Sequence, residues 1–115
     1  MLTKVTSVAV LVTNAEKSAE WYRDKLGFEV VSMQGHWVAV KPKDSSTILH
    51  LCAKCNEWGD DKPGGQTGVA FESDKKEETY RELRAKGVEF SQELHTEWFG
   101  TYAIFRDPDG NEFWM

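Results

Sequence analysis

Arg106-Asp107-Pro108-Asp109-Gly110-Asn111-Glu112-Phe113-Trp114-Met115 is the stretch whose reading decides the fold. Pro108 presets φ for the second position of a turn, an Asp side chain can bond the backbone ahead of it, and Gly110 accepts φ > 0. Strand-like residues lie on both sides, Tyr102-Ala103-Ile104-Phe105 before and Phe113-Trp114-Met115 after. The pattern predicts a hairpin.

Bulk properties narrow the rest. A chain of 115 residues is one domain by length, able to build a modest core. The formal net charge of −5 argues against a general binder of nucleic acid or anionic membranes, which needs clustered Lys and Arg. The longest wholly apolar run, residues 8–12, is too short to span a bilayer or to form the core of a secretory signal. Two cysteines make no disulfide framework. The expectation is a soluble cytoplasmic protein.

Outward from the hairpin, residues 5–12 are apolar and β-branched and read as a strand. Asn14 stands where a helix N-cap belongs and Glu16 favours the positive end of the helix dipole. Ala15, Ala19, Tyr22 and Leu26 share one helical face, and Gly27 follows as the C′ residue. Residues 28–33, 36–40 and 47–52 read as three strands, with turns at Gln34-Gly35 and at 43–46. Polar residues 54–66, with Pro63-Gly64-Gly65, read as a linker. The order then restarts. Residues 68–72 read as a strand, Asp74 with Glu77 resembles a capping box, and a helix runs to Gly87. Residue 88 begins another strand, and residues 98–105 and 111–115 supply two more.

The halves match in element order, and two marks fix their register: Leu26-Gly27-Phe28-Glu29-Val30 and Lys86-Gly87-Val88-Glu89-Phe90. Two repeats are too few for a solenoid. They suit an α+β fold of tandem βαβββ modules, at about 1–55 and 66–115 with a linker at 56–65, forming a curved mixed-sheet cup with helices outside.

With both halves read, the chain resembles the vicinal-oxygen-chelate superfamily, the group of glyoxalase, bleomycin resistance proteins and extradiol dioxygenases. Residues 14–22, Leu26-Gly27-Phe28 and, above all, Asp107-Pro108-Asp109-Gly110-Asn111 carry the likeness, which covers essentially the whole chain. The resemblance implies paired βαβββ modules, a homodimer, and a cup that typically holds a divalent metal. Ser7, His50, Gly68 and Trp114 stand at the family's ligand places. Only His50 is a plausible ligand there, and a catalytic metal normally needs three from the protein. Glu112 shares the parity of Trp114 and is the acid that a slip of register would bring in.

Other candidates divide by parity. His50 and Cys52 share one strand face, while Leu49 and Leu51 share the other and pack on a helix. His50 then points toward the cup, where a neutral imidazole bonds a ligand or moves a proton. The Cys52-Ala53-Lys54-Cys55 spacing has no second pair at zinc-ribbon distance, so small half-buried residues are the better reading. Five tryptophans are many for this length. Cup-facing aromatics would hold a flat or apolar ligand, with an indole N–H to orient a polar group. Trp114 and Trp98 are the leading choices, with Tyr102 as a hydrogen-bonding partner and Trp37 next. Trp21 reads as packing or interface and Trp58 as a lid over the cup. Glu72, His36 and His95 read as surface residues, and the run Lys75, Lys76, Glu77, Glu78 as a wet helix face.

The expectation that collects these readings is a homodimeric protein binding a small molecule in an aromatic cup, with ligand-binding residues Ser7, Trp37, His50, Trp98, Tyr102 and Trp114. It expects no cofactor, no nucleic acid and no membrane. The alternative is a metal-dependent glyoxalase-like lyase or antibiotic-inactivating enzyme recruiting His50 and Glu112 around a divalent metal. A third reading has a vestigial cup and a protein that works through its surface.

Overall fold

In the computed structural model, which describes residues 1–53 and 61–115, the chain divides into two units, Met1–Pro63 and Gly64–Met115. Both follow the order strand, helix, strand, strand, strand. The fold is α+β, with one open four-stranded mixed sheet in each unit.

In the first unit, β1 (Ser7–Leu11) leads into α1 (Ala15–Leu26), then β2 (Glu29–Gln34), β3 (Trp37–Lys41) and β4 (Ile48–Cys52). The sheet order is β1-β4-β3-β2, with β1 parallel to β4 and the other pairs antiparallel. Helix α1 starts where its cap is. The Asn14 side chain accepts the Lys17 N–H at 3.0 Å, which satisfies one of the unpaired first-turn donors. Gly27 closes the helix. Its buried side, Ser18, Ala19 and Tyr22, packs on β2, β3 and β4. Val38, Val40, Leu49 and Leu51 are buried in the same layer. His50 lies between the two leucines and points to the opposite face.

In the second unit, β5 (Gly65–Ala70) is followed by α2 (Lys76–Ala85), β6 (Glu89–Glu97), β7 (Gly100–Arg106) and β8 (Asn111–Trp114). The order is β5-β8-β7-β6, with β5 parallel to β8. Ala103, Phe105, Phe113 and Met115 are buried. Phe71, Phe90, Phe105 and Phe113 form a connected ring cluster among them. Tyr102, Ile104 and Arg106 alternate to the other face of β7, and Glu112 and Trp114 do so on β8.

The Asp107-Pro108-Asp109-Gly110 turn joins β7 to β8. Asp107 is 4% exposed, and its carboxylate accepts the backbone N–H groups of Asp109 and Asn111 and the Asn111 side-chain amide, each at 2.9 Å. Gly110 takes φ 80°, which a side chain rarely tolerates. The turn also holds the start of β5. Gly64 N–H donates to Asn111 Oδ1 at 2.9 Å and Gly65 N–H to the Gly110 carbonyl at 3.0 Å.

Three expectations are corrected. Strand β5 starts at Gly65, not at 68, and Glu72 lies beyond it, because these bonds to the turn draw Gly65 and Gln66 of the expected linker into a parallel ladder. Strand β6 continues to Glu97, so Trp98 and Phe99 form the two-residue turn of the β6–β7 hairpin, not the start of a strand. Helix α2 is capped at Lys75 with no side-chain bond, and Asp74 does not cap it. The rest of the expected linker and Cys55 of the CxxC pair fall partly or wholly at residues 54–60, outside the described residues.

Two substitutions test this account by urea denaturation. Asp107→Ala leaves buried amides without an acceptor and is expected to cost about 3 kcal/mol. Ser18 is 4% exposed and its hydroxyl finds no partner among the described residues. Ser18→Ala is therefore expected to raise stability, by about 0.5–1 kcal/mol.

Candidate functional site

The first sheet gathers a small cluster on its open face. Ala39 pairs with His50 on one side and Ala9 on the other, so short neighbours leave the imidazole room. The Trp37 ring lies 4.5 Å from it, at 46°. His50 Nε2 is 3.0 Å from the His36 carbonyl oxygen. A carbonyl only accepts, so Nε2 carries a hydrogen. Cys52 Sγ lies 3.4 Å from Nδ1 and 3.7 Å from Nε2, beside the ring. Ser7 is not part of this cluster. It sits at the exposed start of β1, opposite Ile48.

The second sheet carries a larger array. Trp114 and Tyr102 stack at 4.5 Å and 16°, and Phe99 stacks on the other side of Tyr102 at 5.6 Å and 25°. Trp98 meets Phe99 edge-on at 5.5 Å. Strand side chains stand off the sheet, so these rings form a row from β8 to the tip of the β6–β7 hairpin. Trp98 ends that row at 92% exposure, a turn residue and not a wall.

Polar side chains fix the row. Trp114 Nε1 donates to Gln66 Oε1 at 3.1 Å. Gln66 Nε2 reaches Glu112 Oε1 at 3.5 Å, and Arg106 Nε faces Glu112 Oε2 at 3.5 Å. At the other end the His95 ring lies 4.7 Å from Tyr102. Gln92 Nε2 donates to the Glu93 carbonyl at 3.0 Å and lies 2.8 Å from His95 Nδ1. An amide NH2 only donates, so Nδ1 accepts and His95 Nε2–H donates to Glu97 at 3.0 Å. His95 is thus a half-exposed strand residue with both nitrogens engaged.

Among the described residues, Trp114 has an aromatic neighbour on one side, Tyr102. Strand β7, which carries Tyr102, flanks β8 on one side and β5 flanks it on the other. The β5 residue paired with Trp114 is Ala70. The register is irregular between Gln66 and Ala70. Gly68, inside that interval, has φ 78° and open space where a Cβ would be. An indole with a methyl group and a bare backbone beside it offers a stacking face. Its N–H is already engaged, so it does not orient a ligand as expected.

The metal-ligand places do not fit a divalent cation. Gly68 has no donor atom, the Trp114 indole has no lone pair to give, and Ser7 is an exposed hydroxyl. Glu112, the fallback acid, faces the same side as Trp114 but is held by Gln66 and Arg106. Among the described residues no three His, Cys, Asp or Glu side chains gather at a point, short of the usual three-ligand set.

A family model, Glyoxalase/Bleomycin resistance protein/Dioxygenase superfamily, matches residues 4–115. The chain belongs to this superfamily. A crystal structure of a superfamily member from Sphaerobacter thermophilus DSM 20745 is 30% identical, with a TM-score of 0.86 over 98% of this chain and 95% of its own. TnmS3, an antibiotic binding protein from Streptomyces sp. CB03234, is 27% identical with a TM-score of 0.87, over 98% of this chain and 93% of its own. The uncharacterized protein YetH of Bacillus subtilis (strain 168) is 29% identical over 118 residues, 98% of this chain and 97% of its own.

Gln66 and His95 are the members of this side-chain array that sequence reasoning missed. Gln66 was hidden in an expected linker, although the Gly27-to-Gly87 offset carries residues 5–12 onto 65–72 and would have placed it on a strand. His95 had no such signal, since the expected strand starting at residue 88 gave no hint of running to Glu97. Trp58, the expected lid, lies outside the described residues. Gln66→Leu is expected to free the Trp114 indole N–H at a cost of about 1 kcal/mol or less. One of the five indole N–H signals in a nitrogen–proton NMR spectrum should shift and exchange faster with water.

Proposed function

We propose that the protein binds a small, flat organic molecule by stacking it on the β5 side of the Trp114 indole, without a metal. The observation that carries this reading is the indole held at its edge by Gln66 and on one side by Tyr102, with the small Ala70 paired beside it on the other among the described residues. Aromatic stacking with such a ring supplies contact area at little entropic cost, since the ring is already immobile. The likeness to TnmS3, an antibiotic binding protein, supports a ligand-holding role over a catalytic one. The metal-free character rests on the donor chemistry of Ser7, Gly68 and Trp114. A homodimer in the cytoplasm belongs to the same proposal, on what the family implies and on an ordinary globular composition.

Calorimetric titration with a panel of neutral polycyclic aromatics tests it. Ala70→Phe fills the stacking face from an exposed position. It is expected to weaken binding at least about fivefold, with stability changed by no more than about 0.5 kcal/mol. Protein purified without chelator is expected to hold no stoichiometric zinc, nickel, manganese or iron. Near-stoichiometric metal lost on His50→Ala would instead make the protein a metalloenzyme. Binding by no compound of the panel would sink the reading.

A further inference from the structure

The Gln66 side chain has more hydrogen-bonding capacity than the indole uses. Its carbonyl oxygen accepts the Trp114 N–H at 3.1 Å. Its NH2 group has two hydrogens, and the partner of that group among the described residues is Glu112 Oε1, at a long 3.5 Å. Gln66 is exposed, so the second N–H is open to a ligand. Its place on β5 decides which ligand. Gln66 and Ala70 pair with Glu112 and Trp114 on β8. Neighbouring strands run about 4.8 Å apart, and a ring in contact with the indole lies about 3.5–4 Å from it. A ring stacked on the β5 side therefore stands nearly over β5 itself. The Gln66 side chain starts on β5 and ends at the indole edge, so it runs across the rim of that ring. Tyr102, on the β7 side, is screened from the same ring by the indole between them.

We propose that Gln66 determines specificity at the Trp114 site, donating its second amide N–H to a neutral carbonyl oxygen on the rim of a planar ring ligand. This rests on the stacking site proposed above and names the class of molecule it takes. The indole N–H is spent on Oε1, and the amide hands that polar role on from its other end. An amide whose oxygen already accepts a bond is the better donor at nitrogen, since hydrogen bonds in a chain polarise one another. Charge selects against an anionic ligand. Glu112 Oε1 lies 3.5 Å from the same amide nitrogen, so a carboxylate bound there would meet a like charge, while Arg106 faces the other oxygen of Glu112 from the β7 side. A neutral carbonyl accepts the bond without that repulsion.

Fluorene and fluorenone share one planar skeleton and differ by a ring carbonyl, so the ratio of their affinities reads the carbonyl apart from the stack. Equilibrium dialysis of the full chain is expected to show fluorenone binding at least roughly threefold more tightly than fluorene. Gln66→Glu keeps an acceptor for the Trp114 N–H and removes the donor, so the two affinities should become equal. Gln66→Leu does not serve here, because it releases the indole N–H to the ligand. A second measurement needs no substitution: the Gln66 side-chain NH2 signal in a nitrogen–proton NMR spectrum should move further downfield with fluorenone than with fluorene. Equal affinities or equal NH2 shifts in the wild-type protein, or a preference that survives Gln66→Glu, would overturn the role of Gln66 and leave the stacking site standing. Binding of neither compound, in a protein that binds nothing else of the aromatic panel, overturns both.

Discussion

The Asp107 carboxylate is the constraint on which the second unit depends. A buried carboxylate is stable only if its lone pairs are met, and here three amide hydrogens meet them. Two of the three belong to Asn111, the first residue of β8. Held in that way, Asn111 turns its own Oδ1 to the Gly64 N–H, and the adjacent Gly110 carbonyl takes the Gly65 N–H. One charge therefore sets both the hairpin and the register of β5 on β8. From that register it follows that Gln66 lies opposite Glu112 and Ala70 opposite Trp114. A shift of one residue would turn those side chains to the other face of the sheet. The face that carries Gln66, Glu112 and Trp114 is in this sense a consequence of a turn at the far end of β8.

An indole at the place where the sequence resemblance implies a metal ligand changes what the place can do. A chelating site recognises lone pairs and needs several donors aimed at one point. An indole recognises a flat surface and needs space beside it. The surroundings agree with the second requirement. Gln66 and Tyr102 hold the ring still, while Gly68 and Ala70 keep clear of it. The cluster around His50 is built differently. Its imidazole is shared among a carbonyl, a thiol and an indole face, which is a satisfied polar group under an aromatic cover.

Features set by near neighbours in the chain were legible in the sequence. Helix α1 was readable from Asn14 through Gly27 because cap, periodicity and terminator are all local. The Asp107-Pro108-Asp109-Gly110 turn was readable for the same reason, down to the positive φ of Gly110. The face shared by His50 and Cys52 followed from strand alternation alone. Parts that depend on distant pairing were not legible. Gly64 and Gly65 look like chain breakers until Asn111 and Gly110 supply their partners 45 or more residues away. Trp98 and Phe99 look like strand residues by propensity, yet the β6–β7 ladder runs out at Glu97 opposite Gly100 and leaves them to make the turn. The engagement of the Trp114 N–H needed Gln66 to be on a strand at all.

The parallel pairing of β5 with β8 also orders assembly in time. Strands β6, β7 and β8 follow one another through tight turns, so their ladders close small loops at low entropic cost. Strand β5 can join only after its chain has gone round α2 and the whole hairpin, which makes its contacts the slowest to nucleate in this unit. The Gln66 grip on the indole belongs to that final docking. A fluorescent side chain at the seam thus registers completion of the sheet, and a nascent or partly unzipped second unit would possess the aromatic row yet leave its last ring unanchored.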